Sequence, residues 1–301
     1  MLGAAAILLA WALDRRFGEP ANRWHPVAWF GRLMAPLGRR LAALRSWAAL
    51  AGGAAAWVLA VGAVFASAGA IQEWIRQQPA WLAAPLLGLA LKPSFAWRVL
   101  HDEVQAVEVA LGQSLDAGRE RLSRLCSRDV RQLDDAAVRE TAIETLAENL
   151  NDSLVAPLFW FAVAGLPGAW AWRAANTLDA MWGYRGRWEW AGKWAARADD
   201  VLAWVPARIT AALLWRPSIA WPTLVREARA TPSPNGGWPM ATMALRLGVR
   251  LGKPGAYVLN AAGQAPDAGA VSRALHAASC AARGAFVLAV AVLLFVGGAR
   301  P

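Results

Sequence analysis

The sequence is poor in cysteine, histidine, tyrosine and charge, and these shortages exclude several classes of protein. Its 301 residues include three histidines, two tyrosines and two cysteines, and Cys126 and Cys280 lie far apart, outside any CxxC pattern. The cysteines therefore predict neither a disulfide framework nor a zinc site. Charged residues make up 17% and hydrophobic residues 57% of the chain, whereas a soluble domain carries about 25% charged residues. This composition predicts an integral membrane protein.

Common catalytic and nucleotide-binding motifs are also missing. The chain has no P-loop, no GxGxxG after a strand, no HExxH and no GxSxG. Its net charge of +10 is not accompanied by a nucleic-acid-binding motif, so no nucleic-acid partner is predicted. The arginine excess of cytoplasmic loops explains most of this charge, and anionic lipid or an anionic substrate stays open as a further partner.

The clearest membrane segment is Ala48–Ile71, which contains no charged residue and is long enough to cross the hydrocarbon core. The preceding Asp14–Arg45 holds seven arginines and two acids, an excess that predicts a cytoplasmic loop. Met1–Leu13 is predicted to be retained, as a tilted span or an interfacial helix. Pro79–Leu100 is predicted to return across the membrane, with an interruption at Lys92-Pro93.

The remaining chain alternates polar helices with apolar runs. Helices are predicted at His101–Gly112, Leu115–Leu125, Asp134–Leu150 and Met240–Leu251, and loop at Gly255–Gly269. Ala270–Gly298 is predicted as a C-terminal helix whose second half, Gly284–Val296, enters the membrane. Val201–Trp215 is a further apolar run, interrupted by Pro206 and Arg208. Leu154–Trp172 is also apolar, but the Gly165–Gly168 stretch, which includes Pro167, breaks it into halves too short to cross the membrane alone.

We therefore predict an all-α, polytopic integral membrane protein with a re-entrant helical hairpin at Leu154–Trp172. Such a hairpin would return the chain to the side from which it came, so that the polar segments on either side of it could share one site. A single membrane-embedded domain over residues 1–301 is predicted, with 101–153 and 216–269 forming a mostly cytoplasmic helical region that carries site residues.

Acidic residues cluster on one predicted helix. Glu144, Glu148 and Asp152 are four residues apart and share a face. Their mutual repulsion favours a cation or a basic partner, although a solvated acidic face is the structural alternative. Asn176 and Asp179 follow the hairpin, and Asp199-Asp200 precede the next apolar run; these are oxygen donors of the kind that Mg²⁺ prefers, although Thr177 could equally cap a helix.

Arginines provide the matching positive charge. Arg128 precedes the acidic helix, and Arg208 lies in an apolar run where an unpaired charge would be costly. Arginine binds phosphate and carboxylate groups in bidentate fashion. These residues predict Mg²⁺-assisted chemistry on a phosphate-bearing or carboxylate-bearing substrate, without fixing the reaction.

The ordered motifs resemble the adenosylcobinamide-phosphate synthase family of cobalamin biosynthesis, known as CobD or CbiB. The matching blocks run in family order over nearly the whole chain: Leu13-Asp14, Gly18-Glu19-Pro20, His25-Pro26-Val27, Arg128-Asp129-Val130, Glu144 to Asp152, Asn176 to Asp179, Ala198-Asp199-Asp200, Pro206-Ala207-Arg208 and Ser233-Pro234-Asn235. Position 240 departs from the pattern, because it holds Met where many relatives carry Glu.

The resemblance implies an ATP-dependent amide ligase that uses Mg²⁺. Its substrates would be adenosylcobyric acid and (R)-1-amino-2-propanol phosphate or a related amino-alcohol, and its product adenosylcobinamide phosphate. It implies catalytic roles for Glu144, Glu148, Asp152 and Asp179, and metal binding by Glu148, Asp152, Asp179 and Asp200. It implies substrate binding by Arg128, Asn149, Asn176, Arg208, Asn235 and His25, although His25 also suits a structural role.

The resemblance further implies a multi-pass protein of the bacterial inner membrane with a cytoplasmic active face. Homo-oligomers and contacts with other corrin-pathway enzymes stay open as partners, beside the lipid bilayer. Two other classes of function stay open: a non-catalytic membrane subunit that assembles corrin enzymes, and a transporter. A transporter would be expected to show inverted-repeat symmetry, which the sequence lacks.

Overall fold

The structure is a computed structural model that describes residues 1–298, with side chains described to Phe295. Within these residues the chain is almost entirely helical. The first half contains α1 (Leu2–Phe17), α2 (Pro26–Ala42), α3 (Ser46–Arg76), α4 (Ala80–Leu91), α5 (Trp97–Leu111), α6 (Leu115–Leu122) and α7 (Asp135–Leu150). The second half contains α8 (Ala156–Trp182), α9 (Lys193–Leu202), α10 (Trp204–Leu214), α11 (Trp221–Ala228), α12 (Gly237–Leu247), β1 (Leu251–Lys253), β2 (Tyr257–Leu259) and α13 (Ala270–Gly298).

Three helical stretches are long and apolar enough to cross a membrane: Ser46–Arg76, Asp135–Trp182 and Ala270–Phe295. The first contains the uncharged run Ala48–Ile71 and confirms it as a candidate span. Exposed tryptophans, Trp47 and Trp74, lie near its two ends, where indole rings commonly settle at the interfaces of a bilayer. The composition and these helices together make the chain a membrane protein.

The two shorter apolar helices pack against each other. At about 1.5 Å per residue, α1 and α4 are each shorter than the hydrocarbon core, so whether they cross the membrane stays a prediction. Gly88 of α4 allows close contact, because a Cβ atom there would lie 2.9 Å from the Cβ of Leu9 in α1. The predicted interruption at Lys92-Pro93 is confirmed: Lys92–Ser94 forms a 3₁₀ turn between α4 and α5.

The chain divides into two compact units, each built from separated segments. The first unit comprises Met1–Ala96, Ala156–Ala203 and the segment from Phe286 onward, and the second comprises Trp97–Val155 and Trp204–Ala285. Helix α13 therefore contributes to both. That these units behave as the single domain inferred from the sequence stays a prediction.

The core of the first unit lies among α2, α3, α8 and α9. Leu178 and Trp182 of α8 pack with Met34 of α2, Val61 of α3 and Ala195 of α9. A buried group of charged residues lies elsewhere in this unit: Lys92 Nζ is 3.1 Å from Asp14 Oδ1 and also contacts Glu19. Burying these charges is tolerable because they are paired with one another.

The helical break predicted near Gly165 is present. Gly165 has φ 67° and ψ −154° and interrupts α8, a conformation that favours glycine. The amide of the next residue, Leu166, loses its helical acceptor and instead donates to Gln72 Oε1 of α3 at 2.7 Å. Protein therefore covers the broken backbone, as is required at membrane depth. The re-entrant course of the two halves stays a prediction.

The second unit confirms the predicted polar helices. Helices α5, α6 and α7 correspond to the three segments inferred between His101 and Asp152, and the side chain of Asp134 caps α7 by accepting the amide of Ala137 at 2.8 Å. Directly after α7, Asn151–Val155 forms a turn of π-helix, a distortion that is frequent at functional sites.

Two local predictions for this unit were wrong. The segment Gly255–Gly269, predicted as loop, contains β2, which pairs antiparallel with β1, so the fold is not purely α. The predicted helix Met240–Leu251 instead begins at Gly237 and ends at Leu247, because Gly248 adopts the left-handed conformation that stops a helix. Residues predicted as the end of that helix form β1.

Candidate active site

The structure distributes the predicted site residues over both units. The second unit holds Arg128, Glu144, Glu148, Asn149, Asp152, Arg208 and Asn235, and the first holds His25, Asn176, Asp179 and Asp200. The residues of the second unit form the denser group, and α7 is its centre.

The acidic face of α7 begins one turn earlier than predicted, at Glu140. Arg250 donates to Glu140 Oε1 at 3.1 Å, and Arg128 donates to Glu144 Oε2 at 2.9 Å. Glu140 and Glu144 are both buried, so each needs such a partner to remain charged. Glu148, the third acid on this face, is exposed and is the carboxylate that a ligand can reach.

Arg128 is fixed in place by three contacts. Besides Glu144, its guanidinium donates to Thr141 Oγ1 at 2.7 Å and to the carbonyl of Gly252 in β1 at 3.4 Å. The β1–β2 hairpin thus helps to position an arginine that lies before α7 in the chain. Arg128 was predicted to bind phosphate, whereas here it neutralises a buried carboxylate.

The hairpin also brings Tyr257 to this face. Its hydroxyl donates to Met240 Sδ at 3.8 Å. Burial, and secondly the negative charge of Glu144, raise the pKa of the Tyr257 phenol, so the phenol is neutral at physiological pH. The phenol also lies within hydrogen-bonding reach of Glu144.

A tight loop before α12 lies against the exposed acid. A Cβ atom on Gly236 would be 3.4 Å from Glu148 Oε1. Ser233 Oγ accepts the amides of Asn235 at 3.2 Å and Gly236 at 3.1 Å, which is the hydrogen bonding of a serine turn. The loop therefore has a defined shape beside Glu148.

Arg208 ties this loop to α10. It donates to Asn235 Oδ1 at 2.5 Å and to the carbonyl of Pro234 at 3.1 Å. Its guanidinium carbon lies 4.5 Å from the ring centroid of Trp204 and 4.8 Å from that of Trp238. Two residues predicted to bind substrate, Arg208 and Asn235, are thus brought together by direct contact.

The same loop lines a cavity of about 590 Å³. Arg208, Arg229 and three tryptophans line it as well: Trp204, Trp221 and Trp238. Its volume falls within the range of small-molecule sites, roughly 300–1,000 Å³. Cationic and aromatic walls of this kind suit a ligand that carries both negative charge and a planar group.

Asn149 lies in the last turn of α7, and Asp152 lies in the π-helical turn that follows it. Asn149 donates to the carbonyl of Thr145 in its own helix at 3.0 Å. In the π-helical turn, Asn151 donates to Asp152 Oδ1 at 2.8 Å and accepts from Thr210 Oγ1 at 3.1 Å. The buried neighbour Asn151 therefore orients Asp152.

Three predicted residues of the first unit, Asn176, Asp179 and Asp200, lie on α8 and α9. Asn176 donates to Asp199 Oδ1 at 3.3 Å, and burial raises the pKa of Asp200 against the opposing effect of Arg197. Gly183 lies so close to Asp179 that a Cβ atom would be 2.0 Å from its Oδ1. This contact allows no side chain at position 183.

His25, predicted to bind substrate, has both ring nitrogens engaged. Its Nδ1 accepts the amide of Val27 at 3.2 Å at the start of α2, and its Nε2 contacts Glu19. Glu19 in turn contacts Lys92. In this arrangement His25 begins a helix and extends the buried ion-pair group.

Magnesium would have to be held by few protein ligands. Within the described residues, no three histidine, cysteine, aspartate or glutamate side chains come together as a metal site. Mg²⁺ is commonly bound by only one or two carboxylates together with substrate phosphates. The accessible carboxylate of Glu148 fits that mode, whereas the described residues do not fit a metal site made by protein alone.

Comparison with known proteins identifies the family. A family model described as CobD/Cbib protein matches residues 7–286. The chain belongs to this family. It is 42% identical over 258 residues to a probable cobalamin biosynthesis protein CobD of Pyrococcus abyssi, covering 83% of this chain and 84% of that protein.

Other members of the CobD/CbiB family give similar values. The chain is 40% identical to the probable cobalamin biosynthesis protein CobD of Thermococcus kodakarensis, covering 96% of this chain and 95% of that protein. It is 38% identical to the cobalamin biosynthesis protein CobD of Rhodobacter capsulatus, covering 88% of each. No solved structure matches the chain significantly.

Sequence reasoning missed Glu140, Arg250 and Tyr257. Glu140 could have been found, because it continues the four-residue spacing of Glu144 and Glu148. Arg250 and Tyr257 could not, because their approach to α7 depends on a hairpin that the sequence did not reveal.

Proposed function

We propose that this protein is the amide-forming ligase of its family in cobalamin biosynthesis. Its substrates are adenosylcobyric acid, (R)-1-amino-2-propanol phosphate or a related amino-alcohol phosphate, and ATP. Its product is adenosylcobinamide phosphate. The role in cobalamin biosynthesis follows from family membership.

One observation carries the proposed chemistry. The accessible carboxylate of Glu148 lies between a buried, arginine-paired carboxylate and the turn formed by Ser233–Gly237. Buried ion pairs and a hydrogen-bonded loop fix the positions of the residues around Glu148. A site for charged substrates requires residues fixed in this way. A membrane anchor without chemistry would not need an accessible acid held beside an ordered loop in this way.

The reaction joins a carboxylate to an amine. ATP activates the carboxylate, whose departing oxygen leaves on phosphate, and the amine loses a proton as the new C–N bond forms.

Magnesium, when bound, neutralises the phosphate charge. We propose Glu148 of α7 and Asp152 of the turn after it as its ligands in the second unit, and Asp179 and Asp200 as its ligands in the first. Arg208 and Arg229 are suited to phosphate, and Asn149, Asn176 and Asn235 to orienting substrate.

We further propose that the active face is cytoplasmic and that the protein lies in the inner membrane. The basic segment before α3 supports this orientation. The break at Gly165, with its backbone amide bound by Gln72, supports the re-entrant hairpin. Such a hairpin keeps α7 and the Asn176–Asp179 segment on one side of the membrane.

The test is a reaction of the purified full-length protein with adenosylcobyric acid, aminopropanol phosphate and Mg²⁺-ATP. We expect amide product and ADP, and we expect Glu148→Gln to lower the rate by at least about 100-fold, since metal-assisted charge stabilisation is worth several kcal/mol. Glu120→Gln is the control, because Glu120 is exposed and pairs only with Arg124 four residues on.

Absence of product from wild type would favour the assembly-subunit alternative, provided the protein still restores a strain that lacks the synthase. Equal rescue by Glu148→Gln and wild type would also count against the ligase. Passage of a corrinoid across sealed vesicles without amide formation would favour a transporter.

A further inference from the structure

The exposed surface of α2 carries a feature formed by residues to which no role in amide ligation has been assigned. Its buried side, which includes Met34 and Gly38, faces the protein. Its exposed side has two edges. Trp29, Leu33 and Leu37 recur every fourth residue and lie along one edge, and all three are exposed, Leu33 to 71%.

Arg32 and Arg39 lie along the neighbouring edge, and Arg40 lies at the C-terminal end of the apolar edge, three residues after Leu37. Arg32, Arg39 and Arg40 are exposed, and no ion pair joins them to a carboxylate in the described part of the chain. The local sequence offers no acid to pair with them, because no Asp or Glu occurs between Glu19 and Glu73. Five arginines fall in that interval: Arg23, Arg32, Arg39, Arg40 and Arg45.

Helix capping does not account for this charge. Arg39 and Arg40 lie in the last turn of α2, where cations interact favourably with the helix dipole. Arg32 lies in the middle of the helix, however, and Arg45 lies beyond its end. Arg32, Arg39 and Arg40 share an exposed position on or next to the exposed apolar edge of α2.

The position of α2 relative to the membrane is limited by α3. Only Ala43–Arg45 separates the end of α2 from the start of this candidate span at Ser46. Trp47, at that start, is 78% exposed, as is typical of an interfacial tryptophan. The C-terminal end of α2 therefore lies at the same membrane boundary.

From this pattern we infer that α2 lies in the plane of the membrane surface and binds anionic phospholipid. Trp29, Leu33 and Leu37 enter the upper acyl region, while Arg32, Arg39 and Arg40 contact the phosphate groups of the headgroups. Amphipathic helices with basic and apolar edges bind membranes in this way. An acidic protein partner would match the arginines but not the exposed apolar edge beside them.

The test uses the full-length protein in bilayer nanodiscs that contain spin-labelled phosphatidylglycerol or spin-labelled phosphatidylcholine. We expect the protein to enrich the anionic lipid over phosphatidylcholine. The triple variant Arg32→Gln/Arg39→Gln/Arg40→Gln should lose this preference by on the order of tenfold or more. The loss should shrink in high salt, since the contacts are electrostatic.

A matched control removes the same charge elsewhere. Arg124, Arg131 and Arg226 are exposed and each has a carboxylate partner, so the corresponding triple glutamine variant should keep the lipid preference. A second measurement places a spin label at Leu33→Cys after Cys126 and Cys280 are changed to Ser. Oxygen should reach this label more readily than a water-soluble nickel chelate.

Three results would overturn the inference. Wild type could show no preference for phosphatidylglycerol, the control triple could lose as much preference as the α2 triple, or the label at position 33 could be in water. Ligase activity takes no part in these measurements, so their failure would be separate from failure of the proposed function.

Discussion

At the residue scale, the buried pair of Arg128 and Glu144 is the contact on which the acidic face most depends. Both side chains are largely removed from solvent, and Arg128 also holds Thr141 and the β1 backbone. A buried ion pair adds little net stability over apolar residues, but removal of one partner leaves a buried charge. Replacing Arg128 should therefore be costly, because Glu144 would be left buried without its ion-pair partner.

We expect Arg128→Ala to destabilise the protein by about 3–5 kcal/mol, measured as a lower free energy of unfolding or a lower melting temperature in detergent. Arg131→Ala is the control. Arg131 pairs with Asp129 two residues away on an exposed surface, so its loss should have little effect. Equal destabilisation by the two variants would contradict the importance given to burial.

The raised pKa of Tyr257 predicts how the stability of the fold changes at alkaline pH. Its pKa is raised in the folded protein above the ordinary value of 10.0, by burial first and then by Glu144. Above about pH 10 the unfolded chain releases this proton while the folded chain keeps it. The unfolded state then binds fewer protons, so the stability of the fold must fall as pH rises through this range.

We expect Tyr257→Phe to make the melting temperature less dependent on pH above about 10, and to leave its dependence near pH 7 unchanged. Absorbance at the wavelength of phenolate should also show one late-ionising tyrosine in wild type that the variant lacks. An identical alkaline loss of stability in both proteins would contradict this assignment.

At the scale of elements, α8 is the helix whose interruption matters most. Gly165 breaks it, and the only route for the freed amide of Leu166 among the described residues is Gln72 of α3. A side chain at Gly165 would clash, because a Cβ atom there would be 2.4 Å from Gln72 Oε1. The break and its acceptor thus form one structural feature supplied by two helices.

We expect Gln72→Leu to cost about 1–3 kcal/mol, because it leaves a buried amide without an acceptor, measured as a lower melting temperature in detergent. Gln78→Leu is the matched control. Gln78 donates to the carbonyl of Trp74 on an exposed surface, so its loss should change stability little. If Gln72→Leu and Gln78→Leu behaved alike, the amide contact would not be what maintains the break.

At the scale of the whole molecule, the direction of the chain after the break decides which segments can share a site. A re-entrant hairpin leaves α7 and the Asn176–Asp179 segment on one face of the membrane. An unbroken crossing would place them on opposite faces, and residues of both segments could not act on one substrate molecule. The membrane topology is therefore part of the proposed function.

The test introduces a single cysteine at Asn149 or at Ala180 into a Cys126→Ser/Cys280→Ser protein. We expect both cysteines to react with a membrane-impermeant maleimide from the same side of sealed vesicles. That side should be the cytoplasmic one, as tested with vesicles of both orientations. Labelling from opposite sides would rule out the hairpin and would require a different arrangement of site residues.

The sequence by itself determined the membrane class, most of the helices and the family. Composition, the uncharged run in α3, the cap at Asp134 and the break at Gly165 are local features, because each depends on residues close together in the chain. The four-residue spacing of Glu144 and Glu148 also fixed one face of α7 in advance. The ordered family motifs then indicated the reaction.

Only the tertiary structure decided which charges are paired and which are accessible. Glu144 and Glu148 are equivalent by spacing, but Arg128 neutralises the first and the second remains exposed, since a guanidinium from outside α7 reaches only one of them. Tyr257 and Gln72 act through contacts between segments that are distant in the chain. Such contacts arise from packing and hydrogen bonding in three dimensions, which local sequence periodicity does not encode.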